Sequence, residues 1–239
     1  MRYDACFITL QTCCSSQQRH RIGPDCSIDE KRDERECETA RNRLRADDYL
    51  PDRRFRPMAA TQDIEQLHAL FSPFYEGKDI LHDGSHIRRI ACKAIDIAAQ
   101  ECIHINHWVV WCGAYLHGVV YTDDTGVRDL LLSSGADSSL VDKAVWAAWE
   151  SGKEATPNTA EGMVLHDAHL LEGGRTYIVT KCLTTGAARG QSVADTLTLI
   201  ETDVLGAYRC CLPSAQQEYA AMEAYAREYV AEQKSALER

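Results

Sequence analysis

The sequence predicts an all-α protein, and three observations carry that prediction. From Thr61 onward apolar residues recur at three- and four-residue spacing, no stretch of useful length alternates apolar with polar residues, and helix start and stop signals separate the segments. With 239 residues, 45% of them hydrophobic, the chain is long enough to bury a full core, and its length favours one domain with an appendage.

Residues 1–57 form that appendage: they are rich in Arg, Asp, Glu and scattered Cys and hold few sustained apolar positions. They cannot bury enough surface to fold alone and read as a disordered or irregular N-terminal extension, with Met58 as the natural start of a helical domain over 58–239. Thr61 caps a first helix striped by Ile64, Leu67, Leu70 and Phe71. A second begins near Ser85 and places Ile87, Ile90, Ala91, Ala94, Ile97 and Ala98 on one face. A third, Ile105 to His117, is apolar nearly all round and is expected to be the central packed helix, ended by Gly118. Ser139 with Asp142, and Asn158 with Glu161, are capping-box patterns before Val145 to Trp149 and before MVLHDAHLL. Val193, Leu197, Ile200, Val204 and Tyr208 mark one further stripe, and Pro213-Ser214 starts the last helix, striped by Tyr219, Met222, Ala226 and Tyr229. That last stripe reads as core, with a homodimer contact as the alternative.

The formal charge of −10 argues against nucleic acid, whose phosphate backbone is held by a surplus of Lys and Arg. No run of apolar residues is long enough to span a bilayer and the start lacks a signal-peptide layout, so the expected location is cytoplasmic with no membrane partner. Eleven cysteines, an odd number without a CxxC pair, do not form a disulfide framework; Cys92, Cys102 and Cys112 read as small apolar residues in helices. The four tryptophans read as packing.

Three polar residues stand in or beside apolar helical stretches, where each needs a partner: His86, His117 and Asp167. Each also has a structural reading. His117 before Gly118 suits a helix end, where glycine takes the left-handed conformation, and Asp167 can be satisfied by Arg175 or a neighbouring His. His166 and His169 flank Asp167 on the same helix, and either can reach a pocket there; His68, His104 and His107 read as structural.

In order and context these segments resemble the HD-domain metal-dependent phosphohydrolases. HDGSHIRRI is similar to the family's opening motif, CGAYLHGV to its apolar helix ending in His-Asp, and EGMVLHDAHLLEGG to its later helix with an Asp-Ala pair. The resemblance spans roughly Thr61 to Glu232 and implies an HD-domain-like helical bundle. It implies His86, His117 and Asp167 as metal ligands and Arg89 as a phosphate contact, with His82 and Asp83 orienting substrate or moving a proton. The chain departs from the family where His117 is followed by Gly118 instead of Asp, and where VWAAWESG supplies no further His. The expected cofactor is therefore a single divalent ion (Mn, Fe, Co, Ni or Zn), with Asp123 or Asp124 as substitute ligands. The implied activity is hydrolysis of a small phosphorylated metabolite or nucleotide. The alternatives are a lyase or oxygenase on the same fold, since two His and one carboxylate also describe an iron triad, and a helical binding or regulatory protein without catalysis.

Overall fold

The computed structural model describes residues 64–238. The extension over 1–57, the start at Met58 and the cap at Thr61 lie outside the described residues. The described residues are all-α: α1 (Ile64–Tyr75), α2 (Gly84–Gln100), α3 (His107–Leu116), α4 (Asp124–Ser133), α5 (Ser138–Glu150), α6 (Ala160–Leu171), α7 (Tyr177–Ala188), α8 (Val193–Leu199) with a π-helical turn (Ile200–Val204), and α9 (Pro213–Leu237). No described helix is long and apolar enough to cross a membrane.

The centre is made by α2, α3, α5 and α6, which pack on one another, while α9 lies along α2, α6 and α7. As its composition predicts, α3 buries nearly every residue, from Trp108 through Leu116. Gly113 permits its close approach to α5 and α6: a Cβ there would stand 2.8 Å from Leu165 Cδ1 and 3.4 Å from the Ala144 carbonyl oxygen. Helix α6 is likewise buried from Val164 to Leu171.

Several local expectations change. Helices α4 and α7 carry no stripe strong enough to have been picked out from the sequence. Asp137 caps α5, accepting from the N–H groups of Ser139 and Leu140, because a carboxylate two residues earlier outcompetes the Ser139 hydroxyl. Thr159 caps α6, and Glu161 reaches instead to the Asn106 N–H at the start of α3. The stripe from Val193 to Tyr208 is not one helix. Thr196, Thr198 and Thr202 donate to carbonyls four residues back, a competition that bends helices, and α8 gives way to the π-helical turn. Cys112 is buried, but Cys92 and Cys102 are exposed. Trp146 and Trp149 are exposed rather than core, with Trp149 donating to Asp124 at 2.9 Å.

Candidate active site

One end of the bundle gathers the titratable side chains. Here α2 begins and α3, α5 and α6 end, so His86 opens α2, His117 closes α3, Ser151 follows α5, and His169 and Glu172 finish α6. The His169 ring lies 4.1 Å from that of His117 and 6.0 Å from that of His86, centroid to centroid. His82 stands behind His86 at 5.8 Å.

The hydrogen bonds fix which ring nitrogen carries each proton. His86 Nδ1 lies 2.7 Å from the Glu172 carboxylate, and His169 Nδ1 lies 3.2 Å from the Ser151 carbonyl; neither oxygen can donate, so both Nδ1 atoms do. The Ser151 hydroxyl gives its proton to the Ala148 carbonyl at 2.6 Å, so it accepts from His117 Nδ1, also at 2.6 Å. All three rings are thus held with Nδ1 protonated and the Nε2 lone pair free. Burial keeps them uncharged: it drives His86 below the ordinary histidine value despite Glu172, takes His117 down to about 3 with the help of the positive charges around it, and holds His169 well below the ordinary value.

Glu172 is the carboxylate of this end. It accepts from His86, from the Tyr177 hydroxyl at 2.5 Å, and faces Arg89 at 3.4 Å and Lys181 at 3.9 Å. Burial works to raise its carboxyl, but the His86 and Tyr177 bonds and the Lys181 ammonium win, and it stays ionised. Lys153, just past α5, adds another ammonium, whose charge bears on both His117 and His169. Burial and the charge of Lys181 bring Lys153 down to about 8, which leaves it protonated at neutral pH.

The residues expected from the sequence divide. His86 and His117 come to the same end of the bundle, with His82 and Arg89 beside them. Asp167 does not join them. Its two carboxylate oxygens accept from the Cys211 and Leu212 N–H groups, each at 2.8 Å, and the His166 ring lies at 2.9 Å. Two residues along a helix turn the side chain by about 200°, so Asp167 faces the segment before α9 while His169 faces the imidazoles. Arg175 is not its partner and lies over the Tyr225 ring instead. Asp83 is committed to capping α2, accepting from the Ser85 and His86 N–H groups. Asp123 caps α4 and Asp124 pairs with Arg128, so neither substitutes as a ligand. Gly118 is not in the left-handed conformation expected of it; a Cβ there would meet the Tyr75 hydroxyl at 3.3 Å and Lys78 Nζ at 3.6 Å.

Sequence reading singled out neither Glu172 nor the two lysines. His169 and Glu172, three apart at a helix end, share one face, which is the signal that was available. Lys153 sits in a turn and Lys181 on the unrecognised α7, so no pattern marks them.

Three neutral imidazoles with anchored Nδ1 atoms suit a divalent ion in their chemistry, since metal-bound histidines are oriented in this way. In spacing the set is wider than a coordination sphere: among the described residues, the donor group gathered within 4.8 Å is His166, Asp167 and Cys211. That second group is a hydrogen-bonded brace. Asp167 is saturated by amides, and burial with the Asp167 charge lifts the Cys211 thiol to about 11, away from the thiolate a metal requires. A groove of about 390 Å³ along α1, lined by Leu67, Leu70 and Trp108 among others, holds no titratable side chain.

No family model matches the sequence, and no curated protein matches it. Solved structures do match. YpgQ of Bacillus subtilis in complex with ADP superposes with a TM-score of 0.57 at 17% identity, over 73% of this chain and 97% of that one. An HD-superfamily hydrolase from Bacillus thuringiensis gives 0.59 at 19% identity, over 73% and 96%. A protein from Lactobacillus plantarum gives 0.62 at 14% identity, over 76% and 98%. The helices from α1 to α9 thus have the fold of the HD-domain proteins, as the order of the sequence motifs predicted.

Proposed function

We propose that this chain hydrolyses the phosphate ester of a small phosphorylated molecule or nucleotide at the imidazole end of the bundle. The observation that carries the reading is the set of three neutral rings, His86, His117 and His169, each with an unprotonated Nε2, beside the cations Lys153, Lys181 and Arg89. The ADP bound to the B. subtilis YpgQ neighbour is a ligand of the same chemical class.

In this reading an Nε2 lone pair accepts the proton of a water molecule as the water oxygen bonds to phosphorus. The ester P–O bond breaks, and the leaving oxygen takes a proton from solvent to depart as an alcohol. Fixed Nδ1–H bonds leave each Nε2 unprotonated, as a general base requires.

The test is phosphate release from a panel of nucleotides and sugar phosphates, with and without added Mn or Co. His86→Ala is expected to lower turnover by about a hundredfold or more, the usual contribution of a general base, because the Glu172 bond opposes the loss of basicity of this ring. Absence of release from every ester under every condition would end this reading. The competing one is binding without turnover, favoured by Gly118 standing where the family has its carboxylate.

A further inference from the structure

The cations at the imidazole end outnumber what the protein itself neutralises. Glu172 is shared among His86, Tyr177, Arg89 and Lys181. Lys153 has no hydrogen bond or ion pair among the described residues; its ammonium lies 5.3 Å over the Tyr208 ring and carries no counter-charge within salt-bridge range. Glu172 and the exposed sequence neighbour Glu154 bear on it only through the field. Covering an ammonium without a counter-ion is unfavourable, and a chain keeps such a group where a ligand supplies the missing charge.

We infer that Lys153, together with Lys181, forms an oxyanion cradle that grips the phosphoryl group of the ligand. The inference deepens the proposed function, since it names what holds the anion, but it does not require that the ester be cleaved. The imidazoles cannot do this job in the state in which they are held: their free Nε2 atoms are acceptors and repel an anionic oxygen, leaving the lysines and Arg89 as donors. The same cradle accepts a free phosphate or the terminal phosphate of a nucleotide, because both present the same oxygens.

The experiment is calorimetry of inorganic phosphate into the full chain, once in EDTA and once with added Mn, for the wild type and for Lys153→Met. The wild type is expected to bind in at least one state. Lys153→Met is expected to weaken that binding by about tenfold or more, the loss that goes with one charge-assisted hydrogen bond. It is also expected to keep or raise the thermal midpoint, because it removes an uncompensated charge. Equal binding by wild type and variant overturns the cradle, as does failure of the wild type to bind in both states. A Lys153→Met chain that cannot fold also counts against it, since an unpaired ammonium does not hold a core together. Phosphate binding without ester cleavage keeps the cradle and removes the hydrolase; ester cleavage unchanged by Lys153→Met does the reverse.

Discussion

The fate of Asp167 shows how a buried carboxylate is satisfied without a cation. Two amide donors at 2.8 Å each, both from the segment leading into α9, leave its oxygens occupied. Asp167→Ala should therefore lower stability by about 1–3 kcal/mol, because the buried Leu212 N–H and the part-buried Cys211 N–H lose their acceptor, and should leave metal content unchanged. Urea unfolding with elemental analysis checks both halves. A carboxylate at position 118 faces the same way as the missing Cβ, toward the Tyr75 hydroxyl and the Lys78 ammonium. Gly118→Asp is accordingly expected to pair with Lys78 and to gain no metal occupancy; a stoichiometric gain would place position 118 in the site after all. His86 and His117 could be read from the sequence because His86 opens a helix with an evident stripe and His117 closes one that is apolar nearly all round. The direction of Asp167 could not: α6 is buried all round, so its pattern carries no phase to say which side chain faces α2 and which faces α9.

At the level of elements, the site depends on how α6 packs against the end of α5, and one side chain does much to set that contact. The buried Glu150 at the end of α5 accepts from the Asn158 N–H at 2.9 Å, the Thr159 N–H at 3.3 Å and the Thr159 hydroxyl, and so holds the entry to α6. Gly162 makes room for it, since a Cβ there would fall 1.9 Å from Glu150 Oε2. Gly162→Ala should expel the carboxylate and cost about 1–3 kcal/mol, as overpacked sites do, with a loss similar to that of Glu150→Ala. If the two losses add in the double variant, the glycine and the carboxylate are independent and the account fails. The sequence showed α2 and α9 through their apolar periodicity and α3 and α6 through their apolar content, but not this link, because a glutamate at a helix end looks like a solvated residue. The same limit hid α7, whose Thr-rich surface blurs its stripe and which carries Lys181 and Tyr177 to the site.

For the molecule as a whole, placing three uncharged imidazoles at one end makes folding sensitive to acid. In the unfolded chain each histidine takes up a proton near its ordinary value of about 6.5. In the folded chain His86, His117 and His169 all lie lower, with His117 at about 3. Between those limits the unfolded state binds more protons than the folded one, so stability is complete above pH 6.5 and falls as the pH drops. Each histidine contributes a slope of up to about 1.4 kcal/mol per pH unit. Glu172 acts in the same direction further down, because its depressed carboxyl loses its bonds only when protonated. Lys153 adds stability at the other end: its value of about 8 lies below that of the unfolded chain, so discharge of its ammonium as the pH climbs past 8 favours the fold, while thiols raised by burial, such as Cys112 and Cys210, oppose it there. The thermal midpoint should therefore fall steadily from pH 6.5 to pH 5. His117→Asn should make that fall shallower, and Lys153→Met should lose stability relative to the wild type between pH 8 and pH 9. A midpoint that is level from pH 6.5 to pH 5 would mean that the three imidazoles are solvated rather than buried together, and the uncharged rings on which the hydrolase depends would be absent.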